Sequence, residues 1–103
     1  MEHLVSVIIP VYNVENYLQK CLDSCFSQTY ANIEVVAIND GSTDTSGEVL
    51  DEYAANESRL KVFHQQNKGV VYARELGVTN SKGEYICFVD SDDFIEKDMI
   101  SNL

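Results

Sequence analysis

The sequence predicts an α/β protein: a Rossmann-like parallel sheet with flanking helices. Short β-branched, apolar runs alternate with segments of helical periodicity, and the pair recurs four times. Most of the strand-forming runs are apolar throughout, which is typical of parallel strands covered on both faces. Right-handed crossovers and the common doubly wound arrangement predict the strand order 3-2-1-4. The predicted strands are 4–11, 33–38, 60–64 and 85–89.

The first predicted strand, Leu4–Val11, is almost entirely apolar and is therefore placed at the centre of the sheet. Pro10 belongs at its end, because proline has no N–H to donate within a ladder. Apolar residues at helical spacing predict a helix over 14–27, with Asn13 as its N-cap. Glu15 then either complements the helix dipole or contacts a ligand beside the strand end.

The second strand, Ile33–Ile38, runs into a polar loop that contains Asp40 and Gly41. Asp40 either forms an Asx-type turn or accepts a hydrogen bond from a base or ribose. A helix is predicted over 45–56. The third strand, Leu60–His64, alternates in polarity, which favours an edge position.

The third helix is predicted over 70–80, with Ala73 and Gly77 small enough for close packing on the sheet. Lys68 and Arg74 are two of only seven lysines and arginines. Near a helix N-terminus they could hold a diphosphate, or they could be a solvated pair with ordinary charge partners.

The fourth strand, Tyr85–Val89, is predicted to be buried on both faces and runs directly into Asp90 and Asp92. Like charges this close repel unless a cation lies between them or one carboxylate is protonated. Mg²⁺ or Mn²⁺ could bind here and hold a phosphate on its other side. The alternative is an acidic turn that caps a helix predicted over 94–103.

The predicted topology brings these loops together. Strands 1 and 4 are neighbours at the point where the connections diverge, and ligands of open α/β sheets bind in that crevice. Residues 12–15 and 90–93 would line it, with Asp40 one strand away.

Composition limits the classes of function. With 103 residues, 45% of them hydrophobic, the chain is predicted to be one small domain. A formal net charge of −10 disfavours a nucleic-acid partner. The three cysteines lack C-x-x-C spacing and are predicted to be small buried hydrophobes in a reducing compartment. With no signal peptide and no membrane-spanning apolar run, the chain is predicted to be cytoplasmic.

Five blocks of the sequence occur in one order: 5–13 (VSVIIPVYN), 36–44 (VAINDGSTD), 67–69 (NKG), 73–74 (AR) and 88–93 (FVDSDD). Together they resemble one known family, the family 2, GT-A-fold glycosyltransferases. The resemblance extends over essentially the whole chain and identifies it as the N-terminal, nucleotide-sugar-binding part of such an enzyme.

The resemblance implies a nucleotide-sugar donor, usually a UDP-sugar, and a divalent metal, Mn²⁺ or Mg²⁺. It also implies roles for ten residues. The base and ribose would be bordered by Pro10, Val11, Tyr12 and Glu15, and Asp40 would accept a hydrogen bond from the base. Lys68 and Arg74 would lie toward the nucleotide and diphosphate. Asp90 and Ser91 would contact ribose and diphosphate, and Asp92 would ligate the metal. Asp93 is expected to cap a helix.

A catalytic base is missing from this pattern. Inverting members of the family use a carboxylate to take the acceptor's proton, and neither Glu96 nor Asp98 is a convincing candidate in the predicted last helix. Residues 1–103 are therefore expected to be the donor-binding part, which binds nucleotide without turnover. The acceptor, a saccharide or a lipid-linked saccharide, and a peripheral membrane location would belong to the full-length protein. Strand 4 would remain an apolar edge that favours self-association.

Other classes of protein fit less well. A phosphoacceptor receiver domain needs an acidic pair after strand 1, where this chain has Pro10–Asn13. A nucleotidyltransferase would use a Gly-rich, basic loop there. A non-catalytic nucleotide-binding or assembly module remains as the alternative, and metal-dependent binding of UDP separates a nucleotide site from a purely structural domain.

Overall fold

The structure, a computed structural model, describes residues 3–92, 95–96 and 99–101. A single four-stranded sheet is ordered β3-β2-β1-β4, and every pairing in it is parallel. The predicted fold class and strand order are therefore confirmed. In chain order the elements are β1 (Val5–Val11), α1 (Leu18–Phe26), β2 (Ile33–Asp40), α2 (Ser46–Asn56), β3 (Leu60–Gln65), α3 (Val70–Thr79) and β4 (Tyr85–Phe88).

Strands β1 and β2 form the centre of the molecule. They are the two inner strands of the sheet, and helices cover both of its faces. One face packs Val7, Ile9 and Val35 against buried residues of α1 and α2. The other face packs Ile8, Val36 and Ile38 against Ala73 of α3. Alternate residues of each strand thus enter different layers, which explains why the middle of both strands, 7–9 and 35–38, is apolar without interruption.

Helix α3 lies very close to the sheet, as its small residues predict. Ala73 and Gly77 are both buried, and a Cβ atom added at Gly77 would lie 2.4 Å from Cγ2 of Ile8. This confirms the expected close packing, and no larger side chain fits at position 77 without displacing the helix.

Strand β4 corrects one prediction. It was expected to be buried on both faces, but Tyr85, Ile86 and Phe88 are 42–50% exposed. The strand pairs only with β1 among the described residues, so it is an apolar edge. Cys87, predicted to be buried, is half-buried for the same reason, whereas the prediction for Cys21 and Cys25 is confirmed.

Helix α1 starts four residues later than predicted, at Leu18 rather than residue 14. Asn13 is not its N-cap; that position is held by Tyr17. The segment before the helix is instead bonded to the loop after β2. The helix predicted over 94–103 and the capping role of Asp93 lie largely outside the described residues; residues 95–96 and 99–101 belong to no helix.

A buried carboxylate joins three strands at the amino edge of the sheet, and the sequence analysis missed it. Glu34 is 4% exposed. One of its oxygens accepts from Nζ of Lys61 at 2.7 Å, and the other accepts from the Ser6 hydroxyl and from the backbone N–H of Lys82. The Ser6 hydroxyl in turn accepts from the N–H of Gly83. These bonds tie β1, β2, β3 and the turn before β4 together.

Candidate functional site

A crevice of about 490 Å³ opens at the carboxyl edge of the sheet. This is the edge where the topology predicted a ligand site, and the volume is that of a small-molecule pocket. It is lined by Pro10, Val11, Tyr12, Val14, Asp40, Asn67, Gly69, Val70, Asp90, Ser91 and Asp92.

Its location and its chemistry distinguish this crevice from the other grooves of the structure, whereas its size does not. A groove of similar volume, about 480 Å³, lies between α1 and α2 and is lined by Asp23, Tyr53 and Glu57 among others. That groove lies on helix surfaces and draws on two successive helices. The crevice at the sheet edge is built instead from the ends of β1 and β2 and the segments that follow β3 and β4.

The turn after β1, which lines the crevice at Tyr12 and Val14, is bonded to the loop after β2. Asn13 has a φ of 51°, a left-handed conformation that asparagine tolerates. Its Oδ1 accepts from the N–H of Thr43 at 2.8 Å and, more weakly, from that of Asp44 at 3.3 Å. The N–H of Val14 donates to Oγ of Ser46 at 3.0 Å. Asn13 therefore fixes the turn after β1 against the start of α2.

Glu15 belongs to the same contact and corrects the dipole interpretation. Its carboxylate accepts from the backbone N–H of Thr45 at 2.9 Å and from the Thr45 hydroxyl. Thr45 is the N-cap residue of α2, so the negative charge lies at the N-terminus of α2 and not in the first turn of α1. Glu15 is exposed and does not line the crevice.

Asp40 is the most heavily bonded acid of the site. It is 4% exposed, and its carboxylate accepts from the N–H of Lys68 (2.7 Å), Nε2 of Gln65 (2.8 Å) and the N–H of Gly69 (3.0 Å). Burial alone would raise the pKa of Asp40, but these hydrogen bonds outweigh it and hold the pKa below its ordinary value. The carboxylate thus stays ionised and anchors the loop that leads into α3.

The same loop packs tightly on the turn after β2. Gly41 has a φ of +71°, and a Cβ atom there would lie 2.6 Å from the backbone N of Asn67. Nδ2 of Asn67 donates to the carbonyl of Asp40 at 3.0 Å and lies 3.4 Å from Oδ2 of its carboxylate. Glycine is required at position 41 for both the conformation and the space.

The acidic turn after β4 closes the opposite side of the crevice. Ser91 is buried, whereas Asp90 and Asp92 are exposed. Nη2 of Arg74 lies 3.9 Å from Oδ1 of Asp90, and its guanidinium carbon lies 5.7 Å from the centre of the Phe88 ring. The side chains of Arg74 and Asp90 are 43% and 67% exposed, and the distance is long, so the ion pair contributes little to stability. The turn therefore has one cation beside it and carboxylates open to solvent.

Seven of the ten predicted site residues line the crevice: Pro10, Val11, Tyr12, Asp40, Asp90, Ser91 and Asp92. The other three, Glu15, Lys68 and Arg74, lie near it without lining it. Four more residues line it: Val14, which falls within the segment 12–15 expected there, and Asn67, Gly69 and Val70, for which no role was predicted. For Asn67 and Gly69 a signal existed, because both belong to the block 67–69 that carried the family resemblance.

The acidic turn has suitable ligands for a hard divalent cation, but too few to complete its coordination. Carboxylate oxygens are what Mg²⁺ and Mn²⁺ prefer. Within the described part of the chain, no group of three or more His, Cys, Asp or Glu side chains is arranged to hold a metal ion. A magnesium-like ion usually takes one or two carboxylates and completes its shell with water and substrate phosphates. Asp90 and Asp92 fit that pattern.

The fold and the crevice define a class of protein: a doubly wound α/β unit with an acidic crevice at the switch point. Comparison with known proteins names the family. The profile described as "Glycosyl transferase family 2" matches residues 6–103, and the chain belongs to that family. The resemblance found in the sequence is thereby confirmed.

A curated relative and two solved structures show the similarity. Glycosyltransferase GlyA of Streptococcus pneumoniae serotype 4 is 54% identical over 99 residues, which are 96% of this chain and 14% of that protein. S. aureus TarS 1-349 in complex with UDP-GlcNAc superposes with a TM-score of 0.88 at 34% identity, over 95% of this chain and 29% of that one. The mannosyltransferase PcManGT of Pyrobaculum calidifontis, in complex with GDP-Man and Mn²⁺, has a TM-score of 0.88 at 25% identity, over 95% and 30% of the two chains. This chain therefore spans less than a third of each of these proteins.

None of the helices in the described part of the chain is long and apolar enough to cross a membrane.

Proposed function

We propose that this chain is the nucleotide-sugar-binding part of a glycosyltransferase domain and that it binds a UDP-sugar together with Mn²⁺ or Mg²⁺. The observation that carries the proposal is the crevice at the switch point, where Asp90 and Asp92 lie across from the end of β1. The TarS structure with UDP-GlcNAc and the PcManGT structure with GDP-Man and Mn²⁺ support it.

Charge explains why a cation belongs to the proposal. The chain carries a formal charge of −10, and the crevice contains three aspartates. A nucleoside diphosphate brought there without a counter-ion would be repelled. When bound, a divalent metal supplies positive charge to the diphosphate and neutralises the leaving group. Asp92, exposed and at the crevice, would hold the metal, and Arg74 would add one positive charge beside Asp90.

The other residues would bind and orient the donor. Pro10, Val11 and Tyr12 give the crevice an apolar wall with one exposed ring, suited to a base and ribose. Asp40 would accept a hydrogen bond from the base through its Oδ2 atom, the oxygen that lies 3.4 Å from Nδ2 of Asn67. Ser91 and Asp90 would contact the ribose and diphosphate, and Glu15 and Lys68 would border the site from the loops beside it.

Calorimetric titration with UDP, GDP and dTDP, with and without Mn²⁺, tests the proposal. We expect Mn²⁺ to tighten the binding of UDP by about tenfold or more, and Asp92→Asn to remove most of that gain, because a carboxylate ligand is lost. Glu52→Gln is the matched control: it also removes one exposed acid, but on α2, away from the crevice. Binding of UDP that is indifferent to Mn²⁺ would contradict the metal site.

The alternative is a non-catalytic nucleotide-binding or assembly module. An assembly module would bind no nucleotide in the same titration, whereas a nucleotide-binding module would bind it without sugar transfer by the full-length protein. The transfer of the sugar to an acceptor hydroxyl, with inversion, is proposed for the full-length protein. Its acceptor would be a saccharide or a lipid-linked saccharide, and its location the cytoplasm or the membrane periphery. The general base is proposed to lie in the acceptor half, so residues 1–103 would bind the donor without transferring sugar.

Self-association through β4 is proposed for the isolated chain. Tyr85, Ile86 and Phe88 are 42–50% exposed on an edge strand, and such an edge is a template for pairing with another strand. Sedimentation velocity should show a concentration-dependent dimer that Ile86→Lys abolishes. Ser81→Lys, in the turn before β4, is a suitable control for the added charge. A monomer at all concentrations would refute the proposal.

A further inference from the structure

Polar side chains at the end of α1 hold the backbone of the segment that follows Asp92. Ser24 Oγ accepts from the N–H of Ile95 at 3.0 Å. Gln28 uses both ends of its amide: Nε2 donates to the carbonyl of Glu96 at 2.7 Å, and Oε1 accepts from the N–H of Ile100 at 3.0 Å. These hydrogen bonds tie Ile95, Glu96 and Ile100 to the end of α1.

The same side of α1 also reaches Asp90, two residues before Asp92. The thiol of Cys21 lies 3.6 Å from the carbonyl oxygen of Asp90 and donates toward it. The Ser24 hydroxyl donates to the carbonyl of Cys21 at 2.7 Å, which ties the two contacts together. Cys21, Ser24 and Gln28 are spaced three and four residues apart, so they share one side of the helix end. Side chains of α1 therefore contact the backbone both before Asp92, at Asp90, and after it, at Ile95.

Gln28 is the central member of this group. It is 7% exposed, and its Nε2 also donates to the carbonyl of Ser24 at 3.1 Å, one of the last carbonyls of α1. Only a side chain that both donates and accepts can make these contacts at once. Glutamate would place an acceptor against the carbonyls of Glu96 and Ser24, and an apolar residue would leave the N–H of Ile100 without its partner.

We propose that Gln28, supported by Ser24, is a positioning residue that sets the direction of the Asp90 and Asp92 carboxylates toward the crevice. The proposal rests on the metal-dependent nucleotide binding proposed above. Because the Asp92 side chain is exposed, its direction depends on the backbone around it, which other residues hold in place. Groups that orient the ligands of a metal without touching it commonly control its affinity.

The test compares the binding of UDP with and without Mn²⁺ in wild type and Gln28→Ala, by calorimetry on the whole chain. We expect the Mn²⁺-dependent gain in UDP affinity to fall about tenfold, while UDP affinity without metal stays unchanged. Gln19→Ala is the matched control, because it makes the same change on the exposed side of α1, where the Gln19 amide donates to Asp23. It should leave the gain intact.

The outcomes separate this proposal from the one it rests on. If wild type shows no Mn²⁺-dependent gain, the proposed function fails. If wild type shows the gain and Gln28→Ala keeps it, or loses metal-free binding to the same extent, the positioning role is overturned. Should Gln28→Ala not fold, Ser24→Ala carries the same test. In either folded variant, hydrogen exchange at the Ile95 and Ile100 amides should accelerate, and unchanged protection would also overturn the proposal.

Discussion

Glu34→Gln is expected to lower the free energy of unfolding by about 2–3 kcal/mol, a large part of the stability of a small domain. Glutamine keeps the shape but removes the charge that Lys61 and the N–H of Lys82 bind. One of its amide positions would also direct a donor at another donor. The loss falls below that of a fully buried pair, because the Lys61 side chain is 38% exposed. Urea unfolding at pH 7 measures it.

The pH dependence of stability follows from the same group. Burial alone would raise the pKa of Glu34, but the bonds from Lys61, Lys82 and Ser6 outweigh it and lower the pKa below its ordinary value. The stabilisation is therefore complete above the unfolded pKa of about 4.3 and is lost as the pH falls through the folded pKa. Glu34→Gln should lose less stability than wild type over that window. Glu84→Gln, at an exposed acid near the same edge, should stay within about 0.5 kcal/mol of wild type. A comparable loss in both variants would refute this account.

Asp40→Asn is expected to lower the stability by about 2 kcal/mol and to weaken UDP binding by tenfold or more. The amide would direct its NH₂ group at N–H donors of residues 65–69, where the carboxylate now accepts. The loop that leads into α3 would loosen, and the crevice would lose its charged acceptor. Chemical denaturation and calorimetry with UDP measure the two effects separately.

The choice of nucleotide tells whether Asp40 also contacts the base. Uracil presents an N–H at N3, whereas cytosine presents an acceptor there. If Asp40 accepts from the base, Asp40→Asn should weaken UDP more than CDP. Equal losses for both nucleotides would mean that Asp40 acts only through the loop. Asp44→Asn is the control, because Asp44 serves α2 and the turn after β1 instead.

The fold could be predicted from the sequence because its signals are local. Alternation of apolar strands with helical periodicity fixed the element order, and the handedness of crossovers left few topologies. The same reasoning located the crevice, since the ends of parallel strands meet at one edge. Seven predicted residues therefore lie together in it.

The failures come from contacts between distant parts of the chain. Residues 13–15 looked like the start of a helix, but their partners are residues 42–46, which no local pattern reveals. Glu34 appeared as a single charge within an apolar strand, and its partners Lys61 and Lys82 lie 27 and 48 residues away. Gln28 lies just beyond the helix predicted over 14–27, and its partners Glu96 and Ile100 are 68 and 72 residues away. The burial predicted for β4 failed because burial depends on which other segments cover the strand, and the residues of the strand itself do not show this.

Strand β2 carries a buried acid near each of its ends, Glu34 and Asp40. Four of the five residues between them, Val35 to Ile38, are apolar, so they would fill the two layers almost as well after a slip of two positions along β1. However, the hydrogen-bond donors of Glu34 lie only at the amino edge of the sheet, and those of Asp40 only at its carboxyl edge. A slipped alignment would bury two unpaired negative charges, and this penalty selects a single alignment of the central strands.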